Sequence, residues 1–256
     1  VTTQVSGGVQ SVGRALDVLE VLAEAGGEMA ISDIATSTGL PLPTIHRLLR
    51  TLVARGYAHQ TPRRRYALGA RLIPLGQLAG GAVGESAAPI LGELVAQAEE
   101  SAGVAMRDLS RAVYVAHVSS KRSMRMTTEV GRRVQMHSTA VGKALLAQGS
   151  DEETRSLAER VGLAECTTHT ITSLDSLLEE LARIREQGYA VDAEEQELGV
   201  TCIAVPVPSP VRLAMAISGP TSRMTPQRLD ELRPLLLAAA ARLAEQTSDT
   251  HAVRAT

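Results

Sequence analysis

Phenylalanine and tryptophan are absent from this chain of 256 residues, and its aromatic rings besides histidine are Tyr57, Tyr66, Tyr114 and Tyr189. Any core must therefore be built from Leu, Val, Ile, Ala and Met. Single-stranded nucleic acids are gripped by stacking their bases on aromatic side chains, so this shortage argues against such a partner and leaves duplex DNA open. Cysteine is nearly absent too. Cys166 and Cys202 are too few for a disulfide framework and form no CxxC pair that would suggest a zinc ribbon or a redox site. The sequence calls for no metal and no cofactor. No apolar run approaches the ~20 residues of a membrane span, and Val1 to Gln10 is polar and glycine-rich, without the basic and apolar regions of a leader. The expected setting is the reducing cytoplasm, away from any membrane.

Acid is missing from one long window. Between Ile34 and Gly84 there is neither Asp nor Glu, while Arg47, Arg50, Arg55, Arg63, Arg64, Arg65 and Arg71 all fall there. The whole chain carries 26 basic and 28 acidic side chains, so with seven arginines inside the window the rest holds 19 of the first and all 28 of the second. A positive segment in an otherwise negative chain is the charge pattern of two domains, one of them suited to a polyanion.

The window has a definite helical layout. Val12, Ala15, Leu16, Leu19, Leu22 and Ala23 recur at helical spacing between Ser11 and Ala25, and Gly26-Gly27 ends that helix. Ser32 reads as the N-cap of a short second helix with Ile34 and Ala35 inward, closed by Gly39. Proline is tolerated only in the first turn of a helix, so Leu40-Pro41-Leu42-Pro43 opens a third, running to about Arg55. There Ile45, Leu48, Leu49 and Leu52 form one face and Thr44, Arg47, Arg50 and Thr51 the other, with His46 adjacent. Tyr57 to Gln60 and Arg65 to Leu68 alternate as two strands about a turn at Thr61-Pro62-Arg63-Arg64. Helices followed by a basic hairpin make a winged helix-turn-helix over residues 9–68, whose third helix suits the major groove. The candidate DNA contacts are Thr44, His46, Arg47 and Arg50 on that helix and Arg63, Arg64 and Arg65 on the wing. For His46 packing is an equal alternative, and the plain alternative for the whole face is a solvated helix surface.

From Gly69 the pattern is helical to about Ala102, broken at Gly80-Gly81 and Pro89. It is read as a linker helix over 69–85 that leads into a second domain over 86–246. Strands are expected at Val104 to Leu109, Ala112 to Val118, Met124 to Thr127, Tyr189 to Ala193, Cys202 to Val207 and Leu213 to Ser218. Helices are expected at Thr139 to Ala147, Asp151 to Val161, Leu174 to Gln187 and from Thr225-Pro226 to about Gln246. That order fits a mixed sheet flanked by helices, which with the first domain makes the fold class α+β. Residues 247–256 are expected to be a disordered tail.

Three features of the second domain carry chemistry. Gly142-Lys143 is not a phosphate loop, because His137 stands where the first glycine is required and Ala144 where Ser or Thr should hold magnesium. Ser138-Thr139-Ala140-Val141 opens a helix whose free N–H groups can bind a carboxylate, against the alternative of a plain helix start over a buried face. Cys202 lies among apolar residues. As a nucleophile it would need His137 as its base, while a small residue lining a pocket or core is the commoner role. Asp192, Glu194 and Glu195 form an acidic turn, most such runs being solvated, although a carboxylate facing a cavity can accept hydrogen bonds from a hydroxylated ligand.

With these residues in hand, the chain resembles the IclR family of bacterial transcriptional regulators over about residues 9 to 246. The resemblance rests on Leu40-Pro41-Leu42-Pro43-Thr44-Ile45-His46-Arg47-Leu48-Leu49, on Tyr66-Ala67-Leu68-Gly69, and on His137-Ser138-Thr139-Ala140-Val141-Gly142-Lys143-Ala144-Leu145-Leu146. It also rests on the spacing of Gly188, Asp192, Glu195 and Cys202-Ile203-Ala204. It implies a winged helix-turn-helix joined by a linker helix to a GAF/PAS-like α/β effector domain, forming a homodimer or dimer of dimers on an inverted-repeat operator in double-stranded DNA. It implies a regulator of a catabolic operon, a repressor rather than an enzyme, that responds to a small organic acid. By position, the family's pocket falls on Met126, Ala140, Val141, Asp192, Val200, Cys202 and Ser218. Ala140 and Val141 would offer N–H groups to an acid, Cys202 and Ser218 weak polar contacts, and Met126 and Val200 an apolar wall. Ser123-Met124-Arg125-Met126, Leu40-Pro41-Leu42 and Ile217-Ser218-Gly219-Pro220 look most like the allantoin and glyoxylate-bypass repressors, whose effector is glyoxylate. Ala216 replaces a pocket Ser of those relatives, Ala140-Val141 replaces Gly-Ala, and Leu42-Pro43 departs from their recognition helix. The alternatives are an aromatic-acid-responsive activator of the same family, a small-acid enzyme using Cys202 and His137, and a DNA-binding architectural protein without an effector.

Overall fold

The computed structural model describes residues 8–76 and 82–254. Their contacts divide the chain into two compact units, Val1–Ala79 and Gly80–Thr256. Part of the expected linker helix, residues 77–81, lies outside the described residues.

In the first unit, helices α1 (Gln10–Glu24), α2 (Ile31–Thr38) and α3 (Leu42–Ala54) precede a hairpin of β1 (Ala58–Gln60) and β2 (Tyr66–Leu68) and a short α4 (Leu72–Gly76). Its core is Val18 and Leu22 of α1, Ile34 of α2, Ile45, Leu49 and Leu52 of α3, and Ala58. The buried stripe of α1 therefore runs through Ala15, Val18, Leu19 and Leu22, an i, i+3, i+4, i+7 set. Val12 and Leu16, expected inward, are more than half exposed. The second helix begins before Ser32, because Ala30 has extended dihedrals and Ile31 is already helical; Asp33 then lies in the first turn, where a negative charge suits the helix dipole. Gly39 takes the left-handed conformation that ends α2. Backbone crowding explains Gly69, where a Cβ would stand 2.1 Å from the Gly56 carbonyl oxygen.

The second unit is built on a six-stranded sheet ordered β5-β4-β3-β8-β7-β6, with β3 (Ser101–Asp108), β4 (Arg111–Val118), β5 (Arg133–Gln135), β6 (Ala190–Ala193), β7 (Val200–Val207) and β8 (Leu213–Pro220). Every pairing is antiparallel, so the sheet is not the mixed one expected. Short links join β3 to β4 and β7 to β8, and an antiparallel pair needs no crossover helix. Side chains alternate across the strands. Ile203, Val205, Val207, Leu213, Met215 and Ile217 pack against α5 (Ala82–Ala98) and α9 (Pro226–Arg254). On the other face Ala105, Ala112, Ala204, Ala214 and Ala216 meet α6 (Ala140–Ala147) and α8 (Leu174–Gln187), with α7 (Asp151–Val161) against α8. One face is thus lined by large side chains and the other mostly by alanine, which lets α6 lie close to the strands.

Three further expectations are corrected by the structure. Pro89 does not break α5: it faces solvent, while Ile90, Leu91 and Leu94 hold the helix to the sheet. Met124 to Thr127 is not a strand, its carbonyls being held by side chains, Met126 O by Ser101 Oγ at 2.6 Å and Met124 O by Arg223 Nη2 at 3.0 Å. The outer strand is instead Arg133–Gln135, paired with Arg111 to Val113. Finally, α9 runs to Arg254, through most of the tail expected to be disordered, since no glycine or proline interrupts it after Pro234. Among the described residues no helix is long and apolar enough to cross a membrane.

Candidate functional site

Two surfaces collect the residues singled out above, one in each unit. In the first, α3 starts after Pro41, and its apolar face is sealed against α1 and α2, which turns His46, Arg47 and Arg50 outward while Thr44 is half-buried. His46, Arg47 and Arg50 line an open cleft with Pro43, Val53 and Ala54, closed on the far side by Gln60 and Tyr66 of the hairpin. The wing turn is held by Thr61 N donating to Arg65 O at 2.8 Å and Arg64 N to Thr61 O at 2.9 Å, with Arg64 in the left-handed region at φ 58°. Arg63 and Arg64 are exposed at its tip.

Arg65 is placed differently. Its Nε and Nη2 donate to the Glu28 carbonyl at 3.2 and 3.0 Å, and its guanidinium lies 3.8 Å from the Glu28 carboxylate and 4.0 Å from that of Asp33. It ties the hairpin to the α1–α2 connection, next to a reciprocal backbone bridge between Met29 and Tyr66. Arg63 reaches Glu28 only at 4.0 Å. Among the described residues Arg47, Arg50 and Arg64 pair with no carboxylate, so their charge is free for a polyanion.

In the second unit a cavity of about 80 Å³ opens where the N-terminus of α6 meets the alanine face of the sheet. All seven expected pocket residues line it: Met126, Ala140, Val141, Asp192, Val200, Cys202 and Ser218. Strand register explains the convergence, since Asp192 pairs with Cys202 and Cys202 with Ser218, while Ser218 pairs with Ser101, whose hydroxyl holds Met126 O. One row of residues across four strands therefore supplies both the polar lining and the anchor of the loop above it.

At the helix end, Thr139 caps α6, its Oγ1 accepting from Gly142 N at 3.1 Å and donating to Gln135 O at 2.6 Å. Among the described residues nothing accepts from the N–H groups of Ala140 and Val141, the usual arrangement of an anion-binding helix start. Gly142 is required by contact: a Cβ there would lie 2.4 Å from Met136 O and 2.6 Å from Gln135 O.

The acidic turn between β6 and β7 is fastened from several sides. Lys143, only 1% exposed, puts its Nζ 2.5 Å from Glu195 and 3.4 Å from Glu180. Ser138 Oγ donates to Gln196 Oε1 at 2.7 Å, and Thr170 Oγ1 to Glu195 O at 2.6 Å. Asp192 is also buried, and its Oδ1 accepts from Glu195 N at 2.8 Å and Gln196 N at 3.3 Å. Burial, reinforced by the neighbouring Glu195 carboxylate, raises its pKa to about 7 despite those N–H groups and Lys143.

Cys202 and His137 are not brought together. Burial and Asp192 push the Cys202 thiol up to about 12, so it stays protonated. His137 Nε2 sits 3.0 Å from Ala164 O and lines a separate small cavity with Arg111; burial lowers its pKa. A thiol without a base is a poor nucleophile, and the pairing needed for an enzyme is missing.

The sequence reading missed Tyr114, Arg132, Thr127 and Thr128, which also line the cavity. Tyr114 faces α6 with Ala112, whereas Val115 and Ala116 both pack toward α5 and α9, because a register shift opposite Val104/Ala105 interrupts the alternation. Burial raises the Tyr114 pKa, so its hydroxyl remains a neutral hydrogen-bond group.

Residues 11–62 match the model of the IclR helix-turn-helix domain, and residues 77–245 that of the bacterial transcriptional regulator IclR C-terminal domain. The chain belongs to the IclR family. It is 36% identical to the acetate operon repressor of Salmonella typhimurium, over 93% of this chain and 90% of that protein. It is 35% identical to the HTH-type transcriptional repressor AllR of Escherichia coli, over 86% of this chain and 84% of that one. Among solved structures, an IclR transcriptional regulator from Alicyclobacillus acidocaldarius superposes with a TM-score of 0.82 at 28% identity, over 94% of this chain and 99% of that one. Like other IclR proteins it is a DNA-binding transcriptional regulator with a small-molecule effector domain, and not an enzyme.

Gly142→Ala should be costly, since the new methyl group meets backbone rather than a movable side chain. Urea unfolding should show a loss of about 1–3 kcal/mol, the range for overpacking, and an unchanged midpoint would mean that α6 is not clamped at its start.

Proposed function

We propose that this IclR protein is a repressor of a catabolic operon, working in the cytoplasm as a homodimer or dimer of dimers on an inverted-repeat operator, with a small organic acid such as glyoxylate as its effector. The observation that carries the acid is a pair of free N–H groups, those of Ala140 and Val141, inside a small cavity that also holds Asp192, Cys202 and Ser218. An N-terminal helix end favours a carboxylate, and Cys202, Ser218 and Tyr114 offer hydrogen-bond groups to its remaining oxygens. Two relatives whose names include repressor support the sign of the regulation. The ligand acts through unequal affinity for the DNA-competent and DNA-incompetent arrangements.

DNA is read by Thr44, His46, Arg47 and Arg50 in the groove, with Arg63 and Arg64 on the wing and Arg65 holding the wing in place. Replacing Arg47 and Arg50 together by Ala should reduce the slope of log affinity against log salt by up to ~1.8, about 0.9 for each phosphate that is no longer neutralised. Arg65→Ala should leave that slope nearly unchanged and lower the unfolding midpoint. Gel-shift titrations at several salt concentrations decide between these outcomes, and a double variant with wild-type salt dependence would remove α3 from the DNA-reading surface.

The effector is tested by thermal denaturation with glyoxylate, pyruvate, allantoate and benzoate. A ligand at about 100 times its dissociation constant stabilises a fold by ~2.7 kcal/mol. Glyoxylate or pyruvate should raise the midpoint and benzoate should not. A shift from benzoate alone would reverse the assignment.

A further inference from the structure

Asp192 presents a conflict that the proposed acid effector makes acute. Its carboxyl is 2% exposed and lies in the same cavity as the N–H groups awaiting an anion. Oδ1 is occupied by two backbone N–H groups, those of Glu195 and Gln196, while Oδ2 has no protein partner among the described residues. Among those residues no cation neutralises it. The nearest buried one, Lys143, is bound to Glu195 and Glu180 instead. Arg132 stands at the exposed side of the cavity, and its charge reaches Tyr114 but is not among the groups that shift Asp192. An effector carboxylate would therefore enter a low-dielectric space that already contains an unpaired carboxylate, and two such groups at close range cannot both stay ionised.

Resting on the small-acid reading above, we infer that Asp192 binds the effector as a neutral acid, so that each anionic effector enters together with one proton, which the Asp192 Oδ2 then donates as a hydrogen bond to the ligand. The proton comes from water or buffer and no covalent bond to the ligand forms. The groups facing Asp192 leave it as the one that titrates. Tyr114 from β4 and Cys202 from β7 are both driven upward by burial and remain protonated. Glu195, from the same turn, is also pushed up by burial against the opposing pull of Lys143 from α6, but its carboxylate is bound to that ammonium and does not line the cavity, while Glu197 lies at the cavity edge. Burial already places the free carboxyl near neutrality, at about 7, so the proton is taken up within the physiological range.

The sign follows from linkage. Below a pH of about 7 the free protein already carries the proton and effector affinity is flat; above it, affinity falls by about tenfold for each pH unit. The acid itself, with a carboxyl of ordinary pKa, stays ionised throughout. The specificity consequence is that a ligand offering an acceptor to Oδ2–H gains a bond, while one offering only a donor meets the wrong partner.

Calorimetric titration of the full chain with glyoxylate and with pyruvate is the test, at about pH 6.5 and about pH 8.5, each in two buffers of different ionisation enthalpy. Proton uptake should be small at the lower pH and approach one per site at the higher, with affinity lower there by ~10–30-fold. Asp192→Asn keeps the acceptor at Oδ1 and places a permanent donor at the other position, so it should bind with little proton uptake and with affinity nearly independent of pH. Wild-type binding without proton uptake at the higher pH overturns the inference and leaves the acid reading standing, whatever the variant does. If neither acid binds at about pH 6.5, the small-acid reading fails and the inference fails with it.

Discussion

The close seating of α6 against the alanine face of the sheet is the constraint on which the effector domain depends. Ala105, Ala112, Ala204, Ala214 and Ala216 remove the side-chain layer that would hold a helix away from the strands. Gly142 lets its first turn touch the backbone at Gln135 and Met136. The N–H groups at the start of the helix are thereby brought level with Asp192, Cys202 and Ser218. Bulk on the opposite face, supplied by Leu, Ile, Val and Met under α5 and α9, provides the hydrophobic burial that the alanines do not.

Charge is divided in a similar way in both units. Several buried or half-buried cations hold loops, while arginines on the outer face of α3 and at the wing tip point outward. Lys143 fastens the acidic turn from below, as Arg65 fastens the wing through the Glu28 carbonyl and Arg223 the loop at Met124. In each case the anchor is a long side chain reaching an element remote in sequence, 37 residues away for Arg65 and 52 for Lys143. Arg47, Arg50 and Arg64 have no such engagement. This separates arginines that shape the DNA-reading unit from those available to phosphate.

That separation was invisible in the sequence, where the seven arginines of the acid-free window look alike. Local signals were easy to read. Leu174–Gln187 has its stated bounds, and α3 starts at the proline-bearing turn and stops before Gly56, because propensity and capping act over a few residues. The pocket positions Met126, Ala140, Val141, Asp192, Val200, Cys202 and Ser218 came from a family pattern, and strand register explains why they meet. What failed was non-local. The three-residue β5 is a strand only because β4 offers it an edge, and Met124 to Thr127 is denied one by side chains from Ser101 and Arg223. The rotation of α1, with Val18 inward and Val12 outward, depends on where α2 and α3 present their own apolar stripes. Tyr114 was hidden by a register shift, which no alternation rule anticipates.

The cross-strand row that joins Asp192, Cys202, Ser218 and Ser101 has a consequence for how the protein acquires function. Asp192, Cys202 and Ser218 already meet across β6, β7 and β8, but Ser101, which anchors Met126, joins them only when β3 pairs with β8, a closure between residues far apart in the domain's sequence. Pairing at such separation is slow, and slipping by one residue would turn every side chain of the row to the other face. Without that pairing the polar lining from β6, β7 and β8 can form, but the loop that carries Met126 has no anchor over it. The last wall of the cavity is thus set by a contact between distant parts of the chain.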